Sequence, residues 1–390
     1  SDEAFNANPE PTKPRPRKDF ETLSKIPDRA FKKLLVSHLN FEINEDKDCR
    51  ILTRTKGASH LCVILSITLC GDFVIKVPAR ASTWRKEDAW NLRSEVGTMK
   101  FVRKETSIPV PRVYAWDDRN NNVIQAPYII MEFIDNPGAH TLWFPTRKGG
   151  LGFTYKGCNE PSPALEAKRQ TFLKSLASLM AQLSAIEFHK IGYLNFDDPK
   201  ARPRVTHYYE DKDDVPTRVP AFSTSKKYWT HIAQYLHSNL MRSGKSYDLH
   251  RSYNTGMLLF LTQIFATPPL DTSKAHPFTY TETFTLTHTD LNLQNILVDA
   301  STGAIAGIID WDRCGTKPRP IGPTSVPLFL QEDWLYWVDW DYFQSKPRLE
   351  YYRNCYAKYM MEATWSEKNG VGDGILTLKS AIYHAALEAL

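Results

Sequence analysis

Residues Phe284 to Asp312 read FTLTHTDLNLQNILVDASTGAIAGIIDWD. The stretch opens on an apolar run of strand length, then gives His288-Thr289-Asp290-Leu291, with Asn295 five residues after Asp290. Ile296-Leu297-Val298 predicts a second short strand, Ser301-Thr302-Gly303 a turn, and Ala304 to Ile309 a third strand that delivers Asp310. One loop and one hairpin therefore bring two carboxylates and a carboxamide to one place. Phosphoryl transfer needs such a set: one carboxylate orients and deprotonates an acceptor hydroxyl, while an Asn and a second Asp hold magnesium on the phosphates. A lone H-x-D would read as a polar loop beside an ordinary hairpin. The whole string H-x-D-L-x-x-x-N, followed by two β-like runs and an Asp, points instead to a catalytic loop.

Composition agrees with an enzyme of this kind. The 390 residues suit two modest domains, and with 42% hydrophobic and 24% charged residues the chain can bury a sizeable core. A net charge of +5 is compatible with an anionic ligand and too small to argue for nucleic acid without a concentrated basic stripe. No run approaches the ~18 apolar residues of a membrane span. The six cysteines, Cys49, Cys62, Cys70, Cys158, Cys314 and Cys355, make no C-x-x-C pair, so neither a zinc site nor a redox motif is expected. Reduced thiols favour an intracellular, cytoplasmic setting. The chain opens on Ser1, and a mitochondrial location stays open if a native N-terminus precedes it. Residues 1–24 are Pro-rich and polar, and a disordered tail is expected there.

A helix is predicted from Ile26 to about Asn40. Residues 49 to 78 predict a three-stranded antiparallel meander, with turns at Thr55 to His60 and at Cys70-Gly71-Asp72. Its last strand carries Lys76 within V-I-K-V. A lysine among Val and Ile is costly unless it meets an anion; the alternative is an edge strand with Lys76 turned to solvent. Glu87 to Lys104 predicts a helix with Val96, Met99 and Val102 at helical spacing, on which Glu95 and Glu87 are the candidate partners. Ala126 to Phe133 predicts the next strand, and Glu166 to about Lys190 a long amphipathic helix. Residues 200 to 220 read as charged and irregular. Further helices fit Thr224 to Met241, Tyr253 to Ala266, Pro347 to Trp365 and Gly374 to Leu390.

With these segments in order, the chain resembles the aminoglycoside phosphotransferase and choline kinase branch of the kinase-like superfamily over about residues 50 to 340, and most closely the fungal phosphotransferase enzyme family. SEVGTMKFVRKETSIPVPRVYAWD and EFHKIGYLNFDD carry the likeness beside the H-T-D-L-N-L-Q-N loop. The resemblance implies a two-lobed α+β fold of protein-kinase type. A nucleotide-binding lobe at 25–134 would carry an antiparallel sheet and one helix, and a mainly helical catalytic and substrate lobe would span 135–390. It implies that Glu95 sets Lys76 against the ATP phosphates, and that Met131 and Phe133 lie where adenine meets backbone. The phosphate loop is glycine-poor, offering Gly57 with Ser59 and His60. Gly150-x-Gly152 lies in a turn-rich loop, not directly between a strand and a helix, and reads as a decoy.

Protein kinases continue their metal-binding Asp as D-F-G and close an activation segment on A-P-E. Here D-W-D follows, no A-P-E appears, and Thr289 replaces the Arg of H-R-D. No activation-loop switch is expected. The function implied is ATP-dependent phosphorylation of a hydroxyl on a small molecule. Asp290 would act as base and Asn295 and Asp310 as magnesium ligands, with His288 bracing the loop. The rivals are a non-catalytic binding module that kept the fold, and a protein kinase. Trp334, Tyr336, Trp337, Trp340 and Tyr342 crowd beside Asp333, Asp339 and Asp341, and Glu210 to Asp214 is a second acidic stretch. These read as packing of the large lobe or as a pocket for a cationic or sugar-like acceptor.

Overall fold

The computed structural model describes residues 19–39, 44–144, 159–198, 201–212, 215–242, 256, 282–334, 344–365 and 377–381. The chain divides into two compact units. The first takes Ser1–Val96, Arg112–Phe133 and His207–Pro220; the second takes Gly97–Pro111, Ile134–Thr206 and Ala221–Leu390.

The first unit begins with helices α1 (Phe20–Ser24) and α2 (Asp28–Ser37). Strands β1 (Cys49–Lys56), β2 (His60–Ile67) and β3 (Gly71–Pro78) follow, then helix α3 (Lys86–Glu105), whose residues up to Val96 belong to this unit, and strands β4 (Val113–Asp117) and β5 (Tyr128–Glu132). The five strands form one antiparallel sheet in the order β1-β2-β3-β5-β4. The meander forms as the sequence predicts. Gly71 begins β3 at φ +96°, in the left-handed region that glycine adopts without steric penalty. Strand β2 buries Leu61, Val63, Leu65 and Ile67 at a period of two, and Leu23 of α1 with Phe31, Leu34 and Leu35 of α2 joins them in one core.

Helix α1 lies within the stretch expected to be a disordered tail. Its start is capped by the Asp19 carboxylate, which accepts from Thr22 N–H at 3.1 Å, and Leu23 is buried, so the ordered chain begins earlier than composition implied. Residues 1–18 lie outside the described residues. The segment expected to be irregular is also ordered: Tyr208–Lys212 pairs antiparallel with Val215–Val219. This hairpin is held on α3, where the Trp90 ring stacks on His207 with centroids 4.5 Å apart. Trp90 Nε1 donates to His207 O at 3.2 Å and Asn91 Nδ2 to Tyr209 O at 3.0 Å. A two-stranded ribbon fixed by backbone contacts needs little apolar alternation, which is why the sequence pattern does not announce it.

In the second unit the main helices are α4 (His140–Trp143), α5 (Pro163–Ser184), α6 (Ser225–Arg242) and α7 (Lys346–Thr364). Ser162 caps α5, accepting from Leu165 N–H at 3.3 Å, and Pro163 sits at its first position. The helix stops at Ser184, short of the expected Lys190, because Glu187–Phe188 leaves it to pair with Thr285 and Phe284. Trp143, Phe172, Phe329 and Tyr352 pack ring against ring, with centroids 5.3 to 5.7 Å apart. The fully buried Arg169 donates to Leu142 O, Trp143 O and Tyr352 Oη, so this interior cation is structural. The expected helix Tyr253 to Ala266 and the pair Gly150 and Gly152 lie outside the described residues, save Gly256; of Gly374 to Leu390 only residues 377–381 are described, and they are helical.

Candidate active site

The first unit contributes one buried ion pair. Lys76 of β3 pairs in register with Cys62 on β2 and Ile129 on β5, so it lies inside the sheet rather than at its edge. Its ammonium donates to Glu95 Oε1 at 2.7 Å; Lys76 is 5% exposed and Glu95 6%. Glu95, not Glu87, therefore meets the lysine. Burial of Leu92 and Val96 on α3 against Ile129, with Met131 packed alongside, fixes the helix face that carries Glu95. Met131 continues β5 opposite Val74, and Phe133 N–H donates to Asp72 O at 3.2 Å. Ser59 is exposed in the β1–β2 turn, and its carbonyl accepts from Ala79 N–H at 2.8 Å. Gly57 closes that turn by donating to His60 O at 2.9 Å, and a Cβ at Gly57 would meet only that oxygen, at an ordinary 3.6 Å.

The second unit assembles the candidate catalytic-loop residues. Phe284–Thr287 is the middle strand of three, between Glu187–Phe188 and Gly315–Pro318, and Ile296–Val298 pairs with Ile305–Ile308. The turn between the latter two is over-determined. Asp299 accepts from Ser301 Oγ and from the Thr302 and Ser301 N–H groups, which hold its carboxyl down at about 2. Gly303 has φ +81°, and a Cβ there would stand 2.4 Å from the Lys168 carbonyl. Between the strands, both oxygens of Asp290 are held: Oδ1 accepts from Asn292 Nδ2 at 2.6 Å and Oδ2 from Asn295 Nδ2 at 2.9 Å. Because a carboxylate only accepts, the Asn295 amide nitrogen faces Asp290 and the Asn295 oxygen is the atom turned to other uses.

His288 is 5% exposed. Its Nδ1 accepts from Asp290 N–H at 3.3 Å and its Nε2 lies 3.0 Å from Ile309 O. A carbonyl cannot donate, so the ring proton sits on Nε2 and the neutral imidazole ties the loop of Asp290 to the strand that ends in Asp310. The buried Trp311 packs edge-on to the same ring at 4.8 Å and donates from Nε1 to Ile308 O at 2.9 Å. Asp310 itself has φ +62°, and Arg313 φ +59°. A non-glycine residue held in the left-handed region at the end of a buried strand stores strain of the kind found at functional sites. Gly315 already begins the next strand, so the chain returns to the sheet within five residues of Asp310 and forms no activation segment there.

Asn292 was not singled out by sequence. Its position two residues after the candidate base is the available signal, since a side chain on the same tight loop can reach back to Asp290. Asn295 and Asp310 offer oxygens that fit magnesium held jointly with phosphates. Among the described residues, no three His, Cys, Asp or Glu side chains gather into a metal cage.

Only the start of the acidic and aromatic stretch is described. Glu332–Trp334 is a short 3-10 turn, and Asp333 pairs with Arg353 of α7, which assigns it to packing. Residues 335–343, with Asp339 and Asp341, lie outside the described residues, as do Asp213 and Asp214. Glu332 Oε2 is buried with no hydrogen-bond partner among the described residues. Burial, and next the Asp333 charge, push the Glu332 carboxyl from 4.5 up to about 7. The folded chain thus holds a proton that the unfolded chain releases between pH 4.5 and 7, a stabilisation complete below pH 4.5 and lost as pH rises through 7. Glu332→Gln should be more stable than wild type at pH 8 by roughly 2–3 kcal/mol and equal to it near pH 4.5. Denaturant melts at the two pH values check this; an equal difference at both would refute it.

A family model described as the phosphotransferase enzyme family matches residues 50–319. Among curated proteins, the chain is similar to altered inheritance of mitochondria protein 9, mitochondrial, of Scheffersomyces stipitis, at 24% identity over 154 residues, 40% of this chain and 21% of that protein. The same-named protein of Clavispora lusitaniae is 26% identical over 176 residues, 42% of this chain and 27% of its own length. The matches thus span about a quarter of these relatives, which are mitochondrial by name, in line with the mitochondrial placement left open by the sequence. Among the described residues no helix is long and apolar enough to cross a membrane.

Two solved structures share the fold. One is a putative aminoglycoside phosphotransferase of Ralstonia eutropha, with TM-score 0.51 and 14% identity, covering 93% of this chain and 88% of that one. The other is choline kinase of Cryptosporidium parvum, with TM-score 0.50 and 11% identity, covering 92% and 86%. The family match covers well over half of the sequence and includes Lys76, Glu95, Asp290, Asn295 and Asp310, and the antiparallel five-stranded sheet with its helices is the fold of these small-molecule kinases. The chain belongs to the phosphotransferase enzyme family.

Proposed function

We propose that the chain is an ATP-dependent phosphotransferase that acts on a hydroxyl group of a small molecule. The observation that carries this reading is the Asp290 carboxylate, fixed through both oxygens by Asn292 and Asn295 on a loop that His288 ties to the Asp310 strand. Each carboxylate oxygen has a second lone pair, so Asp290 can still accept a proton from an acceptor hydroxyl. The acceptor O–H gives its proton to Asp290, its oxygen bonds to the γ-phosphorus, and ADP leaves with the electrons of the broken P–O bond. Lys76, held by Glu95, would meet the α- and β-phosphates; Met131 and Phe133 would border the purine, and Ser59 the phosphates. Magnesium would be held by Asn295 Oδ1 and the Asp310 carboxylate, where it would neutralise charge on the phosphates. Positioning and electrostatics supply nearly all the rate gain in such a site. The names of the relatives support a mitochondrial setting.

The test is ADP release from ATP with a panel of hydroxylated metabolites, alongside nucleotide binding with and without metal. EDTA and Asp310→Ala should each weaken nucleotide binding by about tenfold or more, since two protein oxygens make no site without the phosphates. Equal affinity with and without magnesium would favour a binding module over an enzyme, and phosphorylation of generic proteins would favour a protein kinase.

A further inference from the structure

Beside the Asp290 loop, wholly within the second unit, lies a cavity of about 180 Å³. Thr289 and Leu291, the residues on either side of Asp290 in the chain, form part of its wall together with His288. Met180 of α5 and Val326 are among the apolar residues that complete the lining. Two polar groups stand out. Lys317, in the strand Gly315–Pro318, donates from its ammonium to Tyr228 Oη at 3.1 Å, with Nζ 5.1 Å from the Tyr228 ring centroid. Tyr356 of α7 is 0% exposed, and its hydroxyl has no hydrogen-bond partner among the described residues. Among the described residues no Asp or Glu lines the cavity.

We propose that this cavity is the acceptor subsite and that it takes the acidic end of a compact hydroxylated carboxylic acid, held by Lys317 and Tyr356. The inference rests on the proposed phosphotransfer and names its substrate class. Lys317 meets a phenol oxygen where a carboxylate would make a stronger, charge-assisted bond. A buried hydroxyl without a partner is unfavourable, and native structures keep one where a ligand or water completes it. Burial pushes the Tyr356 hydroxyl well above the usual phenol range, so it keeps its proton and can donate to an anion. The volume suits a compact end group: a cavity of about 150 Å³ holds one benzene, so this one has room for a body of roughly six to eight non-hydrogen atoms. A cation would face Lys317 with no carboxylate among the described lining residues to balance it. The preference is thus opposite in sign to the one read from the acidic and aromatic stretch.

The full chain is tested by calorimetry and by ADP release with glycerate and 3-hydroxybutyrate as carboxylic acids, glycerol 3-phosphate as a phosphate monoester, and choline and kanamycin as cations. The carboxylic acids should bind and be turned over best. Lys317→Met should weaken acid binding about tenfold or more and leave ATP affinity unchanged. Tyr356→Phe deletes only an unpartnered hydroxyl, so it should fold at least as stably as wild type and still lose about fivefold in acid affinity. Stronger binding of cations, failure of both acids to bind, acid affinity indifferent to Lys317→Met, or preference for the phosphate monoester would overturn the assignment. Calorimetry separates this from the phosphotransfer reading: acid binding that depends on Lys317 without ADP release would leave the subsite standing and sink the reaction.

Discussion

Asp290→Asn is expected to lower kcat by about 100-fold or more while nucleotide affinity stays near that of wild type. The change keeps the side-chain volume but removes the base. It also puts an NH₂ group where one of the two neighbouring amides now donates, because Asn292 and Asn295 each point a hydrogen at a carboxylate oxygen. An amide offers a single acceptor atom, so one donor loses its partner and the loop loosens around the reacting hydroxyl. Single-turnover kinetics with a saturating acceptor isolates this loss from binding. Turnover near the wild-type rate would show that another group takes the proton, and unaltered affinity with lost turnover would separate Asp290 from the residues that hold nucleotide.

Glu95→Ala should destabilise the first unit by about 3–5 kcal/mol, because it removes the carboxylate 2.7 Å from an ammonium that is only 5% exposed. The double variant Lys76→Met with Glu95→Leu should recover most of that loss, since a buried pair replaced by apolar groups of similar volume is often neutral or stabilising. It should not recover nucleotide binding. The two measurements, a denaturant melt and an ATP titration, therefore part company in the double variant. If ATP bound as tightly there as in wild type, Lys76 would be a structural residue alone.

The chain's own sequence determined the pieces that depend on short-range order. The antiparallel meander at 49–78 follows from alternating apolar residues between turns. The spacing of Asp290 and Asn295 puts both on one tight loop, where Asn295 can bond Asp290 at all. The strand before Asp310 is legible as an apolar run after Ser301-Thr302-Gly303. What the sequence left open was decided by contacts between distant segments. Glu95 and Glu87 both stand on one helix, and only the packing of Leu92 and Val96 against Ile129 turns Glu95 toward Lys76. The hairpin at 208–219 is invisible to periodicity because its hold is the stacking of His207 on Trp90 and the backbone bonds to α3, more than a hundred residues away in sequence. The role of His288 rests on which atoms flank its two nitrogens, Asp290 N–H on one side and Ile309 O on the other. The sign of the candidate acceptor cavity was likewise hidden. Lys317 and Tyr356 lie 39 residues apart in the chain, on a strand and a helix, and share one cavity only through the tertiary fold.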